Sequence, residues 1–305
     1  MSEPDKNKFP VILAVLAIMV SLFLAKDSAA EQDKEFFQQS VATAGQELTA
    51  KYPWVNFEYQ GEVNDWYKWL LLKSMSLYPE RHVKNVQSVA IKNMSQFPVR
   101  ALISFKLSGG SSKIKLNLNP IEFPLESGFA CKTVLECQQV TDGNLNRSFV
   151  GVVLHELGHV TDLGPSTAGK GKTKNDAFSD GPYSFPKDDP SISFYSICFD
   201  STSNLAPKKC ARNDFVSDYA KSDVFEDFAE TMNVYITDNR NFYEKAGKSP
   251  SLMKKYEFIR DKIFDGKEFS LSKGGIANLF TTYDSTVRRF DIGMLFMEYG
   301  GGNNA

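Results

Sequence analysis

His155-Glu156-Leu157-Gly158-His159 is the stretch on which the reading of this chain turns. Residues four apart on a helix lie one above the other, so His155 and His159 aim two imidazole nitrogens at one point. Glu156 stands beside that point as a carboxylate able to take a proton. Two histidines at this spacing with a glutamate between them hold a zinc ion and activate a water, and they demand a helix around them. A zinc-dependent peptidase is therefore the first expectation.

The chain has three histidines, and two lie in this pentapeptide. The third, His82, sits in Pro79-Glu80-Arg81-His82 with no partner at ligand spacing and reads as an ordinary surface or helix-end histidine. The third zinc ligand is then expected to be a carboxylate. The helix carrying the motif is predicted to start near Asn144 or Asn146, either of which can cap it, and to stop at Gly164-Pro165. Phe149, Val153, Leu157 and Val160 form its apolar stripe, with His155 and His159 on a neighbouring face turned to a cleft.

Downstream, SDYAKSDVFEDFAE spans Ser217 to Glu230. A helix can start at Ser222 or Asp223, with Phe225, Phe228, Ala229, Met232 and Ile236 as its buried stripe. Glu226 and Glu230, four apart, share a face beside that stripe. Two carboxylates on one face ordinarily repel and sit in water. Here the zinc needs an anionic ligand, so Glu226 can coordinate it while Glu230 accepts the N–H of a ligating histidine. Asp227 points about a third of a turn away and fits the ligand role less well.

HELGH followed by a tyrosine seven residues before a glutamate, Tyr219 and Glu226, resembles the catalytic domain of anthrax lethal factor and the related Pro-Pro endopeptidases, which are glutamate-ligand zincins. The resemblance covers roughly residues 86–264 and is most specific in the two helices. It implies a zincin-like fold with one zinc held by His155, His159 and Glu226, Glu156 as the base, and Tyr219 reaching the oxygen on which charge develops. The metzincin motif would require glycine at position 162 and histidine at 165, where this chain has Asp162 and Pro165. A long cysteine-bearing insert between the helices departs from the pattern and bears on cleft shape and substrate preference.

Strand signals precede the motif. Val86–Ile91, Val99–Leu107 and Lys113–Leu118 alternate or run apolar, and Gly109-Gly110-Ser111-Ser112 fits a hairpin turn between the last two. Ile114, Leu116 and Leu118 face one way in the last strand, making it half-buried: either an edge to which an extended substrate could add, or an interior strand. Helical spacing runs from Glu31 to about Tyr52 and again from Asp65 to Tyr78. The aromatics Trp54, Phe57, Tyr59, Trp66, Tyr67 and Trp69 suit core packing better than a ligand platform.

These elements predict an α+β protein. A helical N-terminal region over 31–85 precedes a catalytic unit over 86–290, which has a small twisted sheet, the motif helix, a second glutamate-bearing helix and an insert over 163–218; a tail covers 291–305. The insert is polar and reads as a solvated loop; Asp176, Asp180, Asp188 and Asp189 lack the alternation of a calcium loop.

With 305 residues and 42% hydrophobic content the chain can bury a large core. A net charge of -2 without a basic stripe gives no reason to expect nucleic acid, and a peptide or protein is the expected partner. Residues 1–30 read as export machinery: Phe9 to Ala25 carries no charge, Lys6 and Lys8 precede it, and Ser28-Ala29-Ala30 suits cleavage. The competing reading is an uncleaved anchor, the one way this chain would meet a membrane. Both place the remainder outside the cytoplasm, where the even set Cys131, Cys137, Cys198 and Cys210 suggests disulfides. Of three pairings, the short loops Cys131–Cys137 and Cys198–Cys210 are favoured. The function expected is an exported zinc metalloendopeptidase. The alternative is a catalytically silent zincin-fold binding or inhibitory module, against which the presence of both Glu156 and Tyr219 argues.

Overall fold

A computed structural model describes residues 35, 37–61, 63–92, 101–106, 112–119, 146–170, 176–180, 183–200, 209–269, 284–287 and 295. The apolar run 9–25 with its cleavage site, Cys131, Cys137, Asn144, the turn glycines 109–110 and the tail apart from residue 295 lie outside them. Among the described residues no helix is long and apolar enough to cross a membrane.

The fold is α+β, with eight helices and a small mixed sheet among the described residues. Strands β1 (Asn56–Tyr59), β2 (Val86–Ile91), β3 (Ala101–Lys106) and β4 (Lys113–Leu118) lie in the order β1-β2-β4-β3. β1 and β4 flank β2 in parallel, and β3 pairs antiparallel with β4 as a hairpin requires. The period-two reading places Ile114, Leu116 and Leu118 on one face of β4, and all three are fully buried. β4 is an interior strand, and the edge strands are β1 and β3, the latter with Leu102 and Phe105 exposed. Alternation reports which face is covered and carries no information about in-plane neighbours, which is why β4 could be read either way.

β1 comes from the stretch expected to be helical, so the N-terminal region contributes a strand to the same sheet. Around it lie helix α1 over 37–51, α2 (Asp65–Ser76) and the single turn α3 (Glu80–Val83). Asn64 caps α2 by accepting from Trp66 N at 2.9 Å. Trp66, Tyr67 and Trp69 are core residues: the two indoles stack with centroids 4.9 Å apart and Tyr67 meets Phe149 edge-on at 5.0 Å. His82 does end a helix but is buried rather than on the surface, and that burial lowers its pKa to about 4.

Helix α4 (Asn146–Leu163) carries the motif and packs on β3, β4 and α2. Its stripe of Phe149, Val153, Leu157 and Val160 is buried, and Tyr78 donates to the Leu154 carbonyl at 2.5 Å. Gly164 ends it as expected, for a different reason. Positive-φ glycines among the described residues are Gly61 and Gly266, so Gly164 is not a left-handed cap; a β-carbon there would overlap the Asn85 side chain.

The described residues of the insert are folded, which corrects the expectation of a solvated loop for them. Strands β5 (Gly169–Lys170), β6 (Asp176–Asp180) and β7 (Tyr183–Pro186) form an antiparallel sheet in the order β5-β7-β6, followed by helix α5 (Ile192–Cys198). Asp189 is buried and accepts from Ser166 Oγ at 2.7 Å, Thr167 N at 2.8 Å and Ser191 N at 3.1 Å, which pins the insert to the end of α4. Tyr195 of α5 donates to Asp162 of α4, 2.7 Å from the nearer oxygen, and burial raises the Asp162 pKa to about 7. Polar composition misled here because Asp189, one of the aspartates of the polar stretch, is taken up by internal donors. A Cys198–Cys210 disulfide closes the far end of the insert, as the short-loop pairing predicted.

The remaining helices are α6 (Val224–Thr237), α7 (Asn239–Ala246) and α8 (Pro250–Phe258), the last running into a π-helical turn at Ile259–Ile263. Lys255 of α8 forms a fully buried ion pair with Asp227 of α6 at 2.7 Å. Asp227 therefore braces two helices, in keeping with the reading that it fits the ligand role less well than Glu226.

Candidate metal centre

The site is made where α6 crosses α4. Asp223 caps α6, its carboxylate accepting from Phe225 N and Glu226 N at 2.9 Å each, so the helix begins at the later of the two predicted caps. Phe228, Ala229, Met232 and Ile236 are buried as the stripe predicts, and Phe225 is partly so. What lets the helices approach is Gly158, the fourth residue of the motif. A β-carbon at Gly158 would lie 2.8 Å from the Ala229 Cα, so only glycine allows backbone to meet backbone at this crossing.

The consequence is a convergence of ligand atoms. His155 Nε2 and His159 Nε2 are 3.2 Å apart, and Glu226 Oε2 lies 3.1 Å from the first and 3.6 Å from the second. His155 Nδ1 is 2.9 Å from Glu230 Oε1, so it is assigned the proton of that hydrogen bond and Nε2 presents a lone pair. Glu226 Oε2 is buried without a well-formed hydrogen bond among the described residues. Lone pairs aimed at one another repel unless a cation or a proton lies between them. Ligand atoms about 2.1 Å from a tetrahedral ion are about 3.4 Å apart, which the three separations bracket. The donor set, two imidazoles and a carboxylate, is the one zinc takes with a fourth position left open. His155, His159 and Glu226 therefore fit a metal ion, and they form the one cluster of this kind among the described residues.

Electrostatics point the same way. Burial opposes protonation of both histidines, yet Glu226 and Glu230 raise the His155 pKa well above 6.5 and Glu226 raises that of His159. Burial likewise works against charge on Glu226, but the two imidazoles hold its pKa well below the usual carboxylate range. Such a site draws in positive charge as protons or as metal.

Around the three ligand atoms stand the other expected residues. Glu156 is buried, which pushes its pKa up while His159 and His155 pull it back. Tyr219 begins a short 3-10 turn, Tyr219–Lys221, and its ring lies 6.1 Å from the His155 ring at an interplanar angle of 24°. Burial and the adjacent Glu226 push its phenol pKa far above 10, so the hydroxyl keeps its proton as a donor. Glu230 is wholly buried, and besides His155 it accepts from Ser217 Oγ at 2.5 Å, Ser285 N at 2.7 Å and Ser285 Oγ at 2.6 Å. Burial opposes its charge, but these donors lower its pKa.

Sequence reasoning missed Ser217, Ser285 and Gly158. Ser217 was within reach, since it opens the quoted stretch two residues before Tyr219. Ser285 carries no sequence signal at all. In comparisons with known proteins, no protein-family model, curated protein or solved structure matches the chain.

Proposed function

We propose that this α+β unit is a zincin-like catalytic domain and that the chain is an exported zinc metalloendopeptidase of the glutamate-ligand kind. The observation that carries the reading is the meeting of His155 Nε2, His159 Nε2 and Glu226 Oε2 at separations of 3.1 to 3.6 Å. The presence of Glu156 and Tyr219 around the same point supports an enzyme over a silent binding module, because metal held for structure needs neither.

His155, His159 and Glu226 hold the ion, and Glu230 fixes the His155 ring. A zinc ion bound there supplies Lewis acidity, lowering the pKa of a bound water toward about 7. Glu156 takes a proton from the attacking water at its carboxylate and returns it to the leaving amine; its raised pKa suits both roles. The Tyr219 hydroxyl donates to the substrate carbonyl oxygen as negative charge grows on it. Water exclusion by the buried surroundings strengthens that hydrogen bond.

Export is supported by the Cys198–Cys210 disulfide together with the charge-free run 9–25. The substrate is a peptide or protein. The test is cleavage-site profiling on a peptide library with metal content measured on the same sample. One zinc per chain with discrete cleavage sites is expected; a zinc-free, inactive protein would overturn the proposal.

A further inference from the structure

Ser285 lies far along the chain from both site helices, in a 3-10 turn spanning Ser285–Val287. It nevertheless supplies two of the four hydrogen bonds that fill the Glu230 carboxylate, one from its amide and one from its hydroxyl. The hydroxyl has a single proton, and Asn233 Nδ2 donates to its oxygen at 2.8 Å, which leaves that proton directed at Glu230 Oε1. The donations converge on one carboxylate oxygen: Asn233 donates to Ser285 and Ser285 to Glu230 Oε1, which also accepts from His155 Nδ1. The next residue, Thr286, is packed so closely on α4 that a β-carbon at Gly151 would lie 2.6 Å from its carbonyl oxygen. Two contacts, one to each site helix, seat the same short segment against the centre.

We infer that Ser285 is a positioning residue for the metal-ligating His155, acting through Glu230, so that the segment around Ser285 is part of the metal site. This rests on the proposed zinc reading of His155, His159 and Glu226. Glu230 is a buried charge, and its orientation is set by its donors; without the Ser285 hydroxyl its Oε1 keeps, among the described residues, only His155, and the imidazole loses its fixed bearing. Coupling between two sites is reciprocal, so a segment that tightens zinc is itself tightened by zinc.

The test uses the full chain in three forms: wild type, Ser285→Ala and Ser285→Thr. Zinc dissociation constants are measured by competition with a chelating dye, and amide exchange at Ser285 is followed in the wild type with and without zinc. Removing the hydroxyl is expected to weaken zinc binding by about 10- to 100-fold, the usual effect of losing such an outer partner, with threonine restoring affinity to within about threefold. Zinc is expected to slow exchange of the Ser285 amide about tenfold, a readout that needs no variant and stands even if Ser285→Ala fails to fold. Zinc affinity of Ser285→Ala within about twofold of wild type, equal losses in the alanine and threonine forms, or amide exchange indifferent to zinc would each overturn the inference and leave the zinc reading standing. A wild-type chain that binds no zinc removes both.

Discussion

Gly158 and Ala229 meet backbone to backbone: a β-carbon on Gly158 would sit 2.8 Å from the Ala229 Cα and 3.2 Å from its carbonyl oxygen. That contact sets the separation of the helix bearing His155 and His159 from the one bearing Glu226 and Glu230. Backbone cannot yield as a flexible side chain does, so Gly158→Ala must push the helices apart. The expected result is a loss of about 1–3 kcal/mol in denaturant unfolding and at least about a tenfold weaker zinc affinity. Unchanged zinc affinity in a folded Gly158→Ala chain would show that this contact does not govern the site.

Glu156 and Tyr219 are assigned to proton transfer and hydrogen bonding, with no share in holding metal. Glu156→Gln is expected to retain one zinc per chain by elemental analysis and to lose peptide cleavage. Tyr219→Phe should also retain zinc, with kcat reduced by about 10²- to 10³-fold, the usual effect of removing one oxyanion donor. A Tyr219→Phe rate equal to wild type would take the tyrosine out of the mechanism.

How much of this was legible in the sequence depends on the range of the interaction concerned. β2 and β4 have the bounds their periodicity predicts, and Asp223 caps α6 within one residue of expectation, because period and capping are local properties. β1 was missed because Asn56–Tyr59 is a four-residue strand defined by its parallel pairing with β2. The insert was misread because Asp189 looks solvated in sequence, and only the fold brings Ser166 and Thr167 to it. That His155, His159 and Glu226 come together as a group able to hold a metal ion was legible from one helical turn and the need for an anionic ligand. Ser285 was not, since nothing in the surrounding sequence marks a serine that reaches Glu230 across 55 positions.

The Lys255–Asp227 pair is out of water, and Lys255 Nζ also donates to the Asp214 carbonyl at 2.9 Å. Removing the cation strands a buried carboxylate. Lys255→Met is expected to cost about 3–5 kcal/mol in chemical denaturation, and adding Asp227→Asn to recover a large part of it. Strictly additive losses in the double variant would contradict a coupled pair.

His82 gives a pH dependence of known sign. Its folded-state pKa is lowered to about 4 by burial, then by Arg81, while its ordinary value is 6.5. Between these values the unfolded chain binds more protons than the folded one, so His82 makes stability fall as pH drops from about 6.5 to about 4, by at most about 3 kcal/mol. His82→Gln should flatten that part of the profile relative to wild type. Parallel profiles for the two proteins would mean that His82 is not the group responsible.

The most direct test of the central claim is peptide hydrolysis measured while zinc is titrated back into the chelator-stripped full chain. The account predicts no cleavage in the stripped protein and a rise that stops at one zinc per chain. Cleavage that survives complete removal of metal, or none at any zinc concentration, would contradict it.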